Sequence, residues 1–253
     1  MQTEEALALA LELADAADLV TLRRFRASDL EVRTKPDRTP VTEADSATEL
    51  RLRELIAKRT EGHVVAGEEF GDDGDAEFRW IIDPIDGTKN YMRGVPIWAT
   101  LIGLERAGEL VVGVVSAPAL GSRWWAGSGL GAFRDGQPIR VSRVQSLETA
   151  QVSYAWDTKE RFDEVGDRLI ALSNSSWRTR ALGDFWQHVL VADGSFDVSI
   201  DPVLAYWDCA ALLPIITEAG GRWSTVRGST PQQPDSLICT NGLLHDSVLE
   251  IMR

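Results

Sequence analysis

The sequence predicts an α/β fold in two closely joined halves. The N-terminal half, residues 1–144, reads as helices followed by an antiparallel sheet, and residues 145–253 read as alternating strands and helices. Two observations support this division. The apolar periodicity changes from helical spacing to short apolar runs near residue 64, and near residue 145 strand-like and helix-like segments begin to alternate. No linker-like stretch separates the halves, and 253 residues bury a core without disulfide support.

The first elements follow from the spacing of apolar residues. Between residues 9 and 20 they recur at intervals of four, three and four, which predicts an amphipathic helix. Residues 33–40 carry two prolines and alternating charges, so they are expected to form a loop. A second helix is predicted from Thr42 to about Lys58.

Short apolar runs predict the strands, and polar or glycine-containing segments predict the turns between them. In the N-terminal half the expected strands are residues 63–66, 78–82, 97–104, 110–115, 123–125 and 139–141. In the C-terminal half strands are expected at 151–155, 177–181, 196–200 and 236–240, and helices at 158–173, 184–193, about 206–219 and the C-terminus. Pro214 should bend the helix that contains it, because it cannot donate to the Ala210 carbonyl.

Charge and composition narrow the classes of function. Lys and Arg number 26 against 39 Asp and Glu, a formal net charge of −13, which argues against a nucleic-acid surface. The excess acid fits cation binding or a soluble surface. Two cysteines give no disulfide framework. Because the first residues are acidic and no apolar run reaches 18 residues, the sequence predicts a cytoplasmic protein without membrane association.

The densest chemical signal is Asp-Pro-Ile-Asp-Gly-Thr, which begins at Asp83 after an apolar strand. This strand end can place Asp83 and Asp86 around a cation while the Ile85 carbonyl also points inward. Gly87 allows close approach of a ligand. If a short helix starts at Thr88, the amides of Gly87 and Thr88 suit a phosphate. The alternative is an ordinary turn rich in aspartate.

Three further acids extend this signal, and two of them have a structural alternative. Glu68 lies in a Gly-Glu-Glu segment that follows another short strand, so it can reach the same sheet edge. Asp208 is in the first turn of an apolar helix, where a carboxylate also stabilises the helix dipole. Asp45 lies in Thr-Glu-Ala-Asp, which matches a capping box.

Taken together, these motifs resemble those of the inositol monophosphatase-like family in order and approximate spacing. Segments at residues 129–133, 138–142 and 218–221 are similar to other signatures of that family, so the resemblance covers nearly the whole chain. It implies a layered αβαβα fold, Mg²⁺-dependent hydrolysis of a phosphate monoester and a homodimer.

The resemblance also implies roles for individual residues. Glu68, Asp83 and the Ile85 carbonyl would hold one Mg²⁺, and Asp83, Asp86 and Asp208 a second, with a third, weaker ion near Glu68. Two such ions stabilise both the attacking and the leaving oxygen of an in-line displacement.

Other positions of the family pattern concern water, phosphate and a mobile flap. Asp45 and Thr88 would form the hydrogen-bonded pair that activates the attacking water, and Gly87 with Thr88 would contact the phosphate. The loop that carries Lys35 and Asp37 would be the flap.

The substrate-side residues point to one branch of the family. Inositol-type members usually have Gly-Ser where this chain has Gly183 followed by Asp184, and Asp201 stands where a carboxylate meets the substrate. Residues 201–215 are similar to the histidinol-phosphate phosphatase branch. Histidinol phosphate carries an ammonium and an imidazole that two carboxylates can neutralise.

Alternatives stay open at this point. Asp184 also fits a helix N-cap, and Asp201 a turn acid before proline. At the level of function, the alternatives are an inositol-1-phosphatase, a broad-range sugar phosphatase or, in another class, a regulatory binding protein.

Overall fold

The computed structural model describes residues 1–36, 38–155 and 159–253 as a five-layered sandwich of helices, sheet, helices, sheet and helices. The helices are α1 (Thr3–Arg24), α2 (Glu43–Arg59), α3 (Thr88–Met92), α4 (Lys159–Ser175), α5 (Asp184–Ala192), α6 (Tyr206–Cys209), α7 (Leu212–Glu218) and α8 (His245–Met252). The strands are β1 (Val32–Thr34), β2 (Pro40–Thr42), β3 (Val64–Gly67), β4 (Gly71–Asp72), β5 (Phe78–Asp86), β6 (Ala99–Arg106), β7 (Glu109–Ala117), β8 (Ser122–Gly127), β9 (Gly131–Arg134), β10 (Gln137–Pro138), β11 (Gln151–Tyr154), β12 (Arg178–Arg180), β13 (Val198–Asp201), β14 (Arg222–Ser224) and β15 (Leu237–Thr240).

The first sheet has eight strands in the order β10-β9-β8-β7-β6-β5-β3-β4, antiparallel except for the parallel pair β3 and β5. Side chains alternate across it, as a pleated strand requires. Ile102 and Leu104 of β6 are buried against α1 and α2, whereas Leu101 is buried on the opposite face with α5 and α7. Both faces of this sheet are therefore covered by helices.

The second sheet has five strands in the order β12-β11-β13-β15-β14. Its middle strands separate two helical layers in the same way. Ile238 of β15 packs with α4 and α8, and its neighbours Leu237 and Cys239 pack with α5 and α7. Helices α5 to α7 thus form the central layer, between the two sheets, which confirms the predicted layered α/β fold.

Several predicted elements differ from the structure. No strand forms at residues 139–141, because Gln137–Pro138 completes the hairpin with β9 and the Val141 N–H then donates to the Ala219 carbonyl outside the sheet. The expected loop at residues 33–40 overlaps a short antiparallel pair, β1 with β2, and connects its two strands. The start predicted for α4, residue 158, lies outside the described residues. The boundary predicted between residues 144 and 145 falls between the two sheets and stays a prediction.

The helix predicted at residues 206–219 is divided into α6 and α7 by a break at residues 210–211. Pro214 follows this break and cannot donate a hydrogen bond to the Ala210 carbonyl, which accounts for the interruption. Ala210 and Ala211 keep helical backbone angles, and the bend itself stays a prediction. The break packs directly on β6 and β7. A Cβ at Gly113 would lie 2.0 Å from the Ala211 carbonyl oxygen, and one at Gly103 would lie 3.1 Å from the Ala210 Cβ.

Within the described part of the chain, no helix has both the length and the apolar character needed to cross a bilayer.

These contacts predict different effects for two glycine substitutions on paired strands. Gly113→Ala should lower the free energy of unfolding by about 1–3 kcal/mol, because the new methyl group displaces the α6–α7 break. Gly103→Ala should change it by less than about 1 kcal/mol, since the milder contact is offset by the strand propensity of alanine. Urea unfolding followed by circular dichroism measures both. Equal losses would show that the break does not press on Gly113.

Candidate active site

Three acidic side chains converge where β5 leaves the first sheet. Carboxylate oxygens of Asp83, Asp86 and Asp208 all lie within 4.8 Å of one another. Asp83 and Asp86 are three residues apart, so a regular strand would direct them to opposite faces. The pairing of β5 with β6 is irregular between these two residues, and this change of register lets both face Asp208 on α6.

Burial and like charge oppose ionisation of this cluster. The pKa of Asp83 is raised well above its ordinary value by burial and then by the nearby charges of Glu68, Asp86 and Asp208. Burial, followed by the charge of Asp184, likewise raises the pKa of Asp86. Burial raises the pKa of Asp208 to about 7. Oxygen ligands that repel one another in this way suit a hard divalent cation, so the cluster could hold a metal ion.

Glu68 lines the same cavity, of about 160 Å³, as the three aspartates. Its carboxylate is paired with Lys35, whose Nζ lies 2.7 Å from Glu68 Oε1 and 2.7 Å from Glu69 Oε1. Burial raises the pKa of Glu69 to about 7, although the ammonium of Lys35 opposes this shift. Lys35 follows β1, so the β1–β2 hairpin reaches the site. Asp37, the other predicted flap residue, lies outside the described residues.

Thr88 connects the cluster to Asp45. The Thr88 hydroxyl lies 3.1 Å from Asp45 Oδ1 and 3.0 Å from the Ile85 carbonyl oxygen, and can donate to either. A hydroxyl has one hydrogen to donate. When this hydrogen is donated to Asp45, the Ile85 carbonyl oxygen remains available to a cation.

Asp45 also forms the predicted capping box of α2. Its Oδ2 accepts a hydrogen bond of 2.9 Å from the Thr42 N–H, while Oδ1 contacts the Thr88 hydroxyl. Burial raises the pKa of Asp45. The structural and the functional interpretation are therefore compatible, because each uses a different oxygen.

Gly87 separates the acidic strand end from α3 and has a φ of 85°. This left-handed conformation suits glycine. A Cβ here would also lie 3.0 Å from the Ile97 carbonyl oxygen and 3.4 Å from Asp184 Oδ2. Gly87 and Thr88 both line the smaller cavity, beside the three aspartates.

A second cavity of about 350 Å³ adjoins the first and shares four of its lining residues: Asp86, Lys89, Asp184 and Asp208. Asp201, at the end of β13, also lines it. The structure thus places both predicted substrate residues beside the acidic cluster. His188 forms part of the wall, but it is buried and its Nδ1 lies 2.9 Å from the Ser199 hydroxyl, as expected of a structural histidine.

Asp184 is the first residue of α5, while Gly183 occupies the N-cap position, so the N-cap interpretation of Asp184 is wrong. Its φ of 48° is unusual for a residue with a side chain. Asn90 Nδ2 donates to Asp184 Oδ2 at 2.9 Å, and the Phe185 N–H donates to Asp86 Oδ2 at 2.6 Å. The turn that carries Asp184 is therefore hydrogen-bonded to one carboxylate of the acidic cluster, that of Asp86.

Two residues near the site were missed by the sequence analysis. Lys89 lines both cavities, and Asn90 lines the larger one and contacts Asp184. Both immediately follow the Asp-Pro-Ile-Asp-Gly-Thr motif, and this proximity is the signal that could have found them.

The comparisons agree with this geometry. The model of the inositol monophosphatase family matches residues 2–253. The chain is 48% identical to histidinol-phosphatase of Streptomyces coelicolor, over 96% of this chain and 95% of that protein. It is also 48% identical to histidinol-phosphatase of Mycobacterium tuberculosis, over 96% of each. The solved structure of the extragenic suppressor protein suhB from Bartonella henselae has a TM-score of 0.93 at 25% identity and covers 98% of both chains.

These matches span the elements that carry the acidic cluster in both halves of the sequence. Fold, motif order and sequence identity agree over the same residues. The chain belongs to the inositol monophosphatase family.

Proposed function

We propose that this protein is a Mg²⁺-dependent histidinol-phosphatase, which hydrolyses L-histidinol phosphate to L-histidinol and phosphate. The observation that carries the proposal is the convergence of Asp83, Asp86 and Asp208 beside a cavity that also presents Asp184 and Asp201. The acidic cluster supports metal-assisted phosphate chemistry, and the two further carboxylates support a cationic leaving group. The names of the two relatives that are 48% identical support the same substrate.

The donor set fits two Mg²⁺ ions, which need oxygen ligands. Glu68, Asp83 and the Ile85 carbonyl would hold one ion, Asp83, Asp86 and Asp208 the other, and a third, weaker ion would lie near Glu68. Bound Mg²⁺ lowers the pKa of water and neutralises charge on the phosphoryl oxygens. Glu68 must first be released from Lys35, 2.7 Å away, so we propose that the loop carrying Lys35 moves as a flap.

The residues around the cluster divide the remaining work. Thr88 donates its hydroxyl hydrogen to Asp45, and its oxygen then accepts a hydrogen bond from the attacking water. This orients the water and makes it a better nucleophile. The amides of Gly87 and Thr88 donate to the phosphate. As the oxygen of the water bonds to phosphorus, the bond from phosphorus to the ester oxygen breaks. The water gives up a proton through Thr88 to Asp45, and a solvent water supplies the proton that the ester oxygen of histidinol takes up.

Charge complementarity supports histidinol phosphate over an uncharged polyol ester. Asp184 and Asp201 line the larger cavity, and their carboxylates can pair with the ammonium and the imidazole of the leaving group. Asp201 gives the cleaner test, because its charge raises the pKa of Asp86 in the acidic cluster less than the charge of Asp184 does.

The family resemblance supports two proposals about the cellular form. The protein is expected to be a homodimer and to work in the cytoplasm. Sedimentation equilibrium at micromolar protein concentration measures the oligomeric state.

Removing the shared carboxylate should abolish catalysis. Asp83→Asn is expected to retain the fold but to lower kcat by at least about three orders of magnitude, because both ions lose a ligand. Phosphate release at saturating Mg²⁺ measures the loss. Asp75→Asn, which changes an exposed acid, is the matched control. Turnover of Asp83→Asn near that of the unaltered protein would contradict the proposal that Asp83 bridges the ions.

Removing the substrate carboxylates should discriminate between esters. Asp201→Asn is expected to raise KM for histidinol phosphate about tenfold, since a charge-assisted contact of 1–2 kcal/mol is lost, and to leave KM for inositol-1-phosphate nearly unchanged. Asp184→Asn should raise KM for histidinol phosphate by a similar factor. It should also make activity less dependent on Mg²⁺. Equal effects of Asp201→Asn on both esters would refute cation recognition, and faster turnover of inositol-1-phosphate by the unaltered protein would refute the proposed substrate.

Stability of the metal-free protein should fall as pH rises. An acid whose pKa is raised in the folded state binds more protons there than in the unfolded chain, where Asp has a pKa of about 3.9. With the pKa of Asp208 at about 7, the loss should occur between about pH 4 and pH 7. Mg²⁺ should restore stability, by more at pH 7.5 than at pH 5.

Differential scanning fluorimetry with and without Mg²⁺ measures this dependence. In metal-free buffer, Asp208→Asn should raise Tm at pH 7.5 by about 5 °C and have less effect at pH 5. A larger gain from Asp208→Asn at pH 5 than at pH 7.5 would contradict the assignment of repulsion to this cluster.

A further inference from the structure

Glu49 is a fully buried carboxylate that has no part in the chemistry described above. It lies in α2, one helical turn after Asp45, so both side chains are on the same side of that helix. Its side chain has no solvent exposure. A buried carboxylate requires partners that compensate for the lost water. The identity of these partners indicates what Glu49 does.

The partners of Glu49 lie in the loop that carries Glu68. The Glu69 N–H donates to Glu49 Oε2 at 2.7 Å, and the Phe70 N–H donates to Glu49 Oε1 at 3.2 Å. On the other side of the loop, the Glu68 N–H donates to the Ile82 carbonyl oxygen at 3.2 Å. Three successive amides of the loop, from Glu68 to Phe70, are therefore fixed.

Gly67 provides the space that this arrangement needs. A Cβ at this position would lie 2.1 Å from Glu49 Oε1. Its backbone does not have a positive φ, so conformation does not require glycine here. The carboxylate of Glu49 is the reason that a side chain cannot be accommodated next to Glu68.

Arg53 lies one helical turn after Glu49 in α2. It balances the charge of Glu49 and binds the β3–β4 turn. Its Nε lies 2.8 Å from Glu49 Oε1. Its Nη1 donates to Asp73 Oδ2 at 2.8 Å, and its Nη2 donates to the Gly71 carbonyl. The ion pair thus attaches the β3–β4 turn to α2 through bonds to residues 69–71 and 73.

We propose that Glu49 is a positioning residue that holds residues 67–70 so that Glu68 is aimed into the metal site. The inference rests on the proposed role of Glu68 as a metal ligand. Because α2 also carries Asp45, one rigid helix sets the distance between the water-activating acid and the Glu68 side of the metal pair.

The test compares Glu49→Gln with Glu54→Gln, an exposed substitution of the same type on the same helix. Binding of Mn²⁺ by electron paramagnetic resonance gives a readout independent of turnover. Glu49→Gln is expected to weaken Mn²⁺ binding, and to raise the Mg²⁺ concentration for half-maximal activity, about 10-fold or more. At saturating Mg²⁺, KM should be unchanged and kcat should fall less than about threefold. Glu54→Gln should change none of these values.

A merely structural role would lower Tm and leave the metal affinity of the folded protein unchanged, which would overturn the proposal. If Glu49→Gln does not fold, Gly67→Ala tests the same contact, because it displaces the carboxylate without removing it. Gly67→Ala should by itself weaken Mn²⁺ binding about as much as is expected of Glu49→Gln, and unchanged Mn²⁺ binding would overturn the proposal. Where Glu49→Gln does fold, Gly67→Ala should add little to its effect. Additive losses would overturn the proposal.

Glu68→Gln separates this inference from the proposed function. If Glu68→Gln does not weaken Mn²⁺ binding, the proposed ligand set is wrong and the inference fails with it. If Glu68→Gln weakens binding while Glu49→Gln does not, the ligand set stands and the positioning role alone is refuted.

Discussion

Repulsion among buried carboxylates is the interaction on which the rest of the site depends. Asp83, Asp86 and Asp208 are brought together in a place where both burial and neighbouring charge oppose their ionisation. Such a cluster lowers the stability of the folded chain unless a cation compensates it. The ammonium of Lys35 supplies part of that compensation, at Glu68. The capacity of the site to hold a cation and its low stability without one are thus two consequences of the same arrangement.

The five layers explain why this arrangement needs both halves of the chain. β5 of the first sheet supplies Asp83 and Asp86, the central helical layer supplies Asp184 and Asp208, and β13 of the second sheet supplies Asp201. The acidic cluster lies where the first sheet meets the central helices, and the larger cavity extends toward the second sheet. Substrate preference can therefore change in the C-terminal half while the proposed metal ligands of β5 stay in place.

The sequence predicted the acidic cluster because its members are carboxylates at strand ends and at the first turn of a helix, positions that periodicity reveals. It did not predict the irregularity in β5 that directs Asp83 and Asp86 to one side. It also missed Glu49, since glutamate four residues before Arg53 looks like an ordinary surface pair on a helix. Local sequence patterns do not reveal contacts between residues that are distant in sequence, such as the hydrogen bond from Asn90 to Asp184.

The four aspartates of the site share a mode of orientation that avoids added positive charge, whereas Glu68 is paired with Lys35. Each of four aspartates accepts a hydrogen bond from a backbone N–H: Asp45 from Thr42, Asp83 from Ile85, Asp86 from Phe185 and Asp208 from Ala205. A lysine or arginine in these positions would orient the carboxylates as well, but it would compete with the metal for them. Backbone amides fix direction and leave the net charge for the cation. At Glu49 the roles are exchanged. Its carboxylate orients the backbone amides of Glu69 and Phe70, next to the proposed metal ligand Glu68.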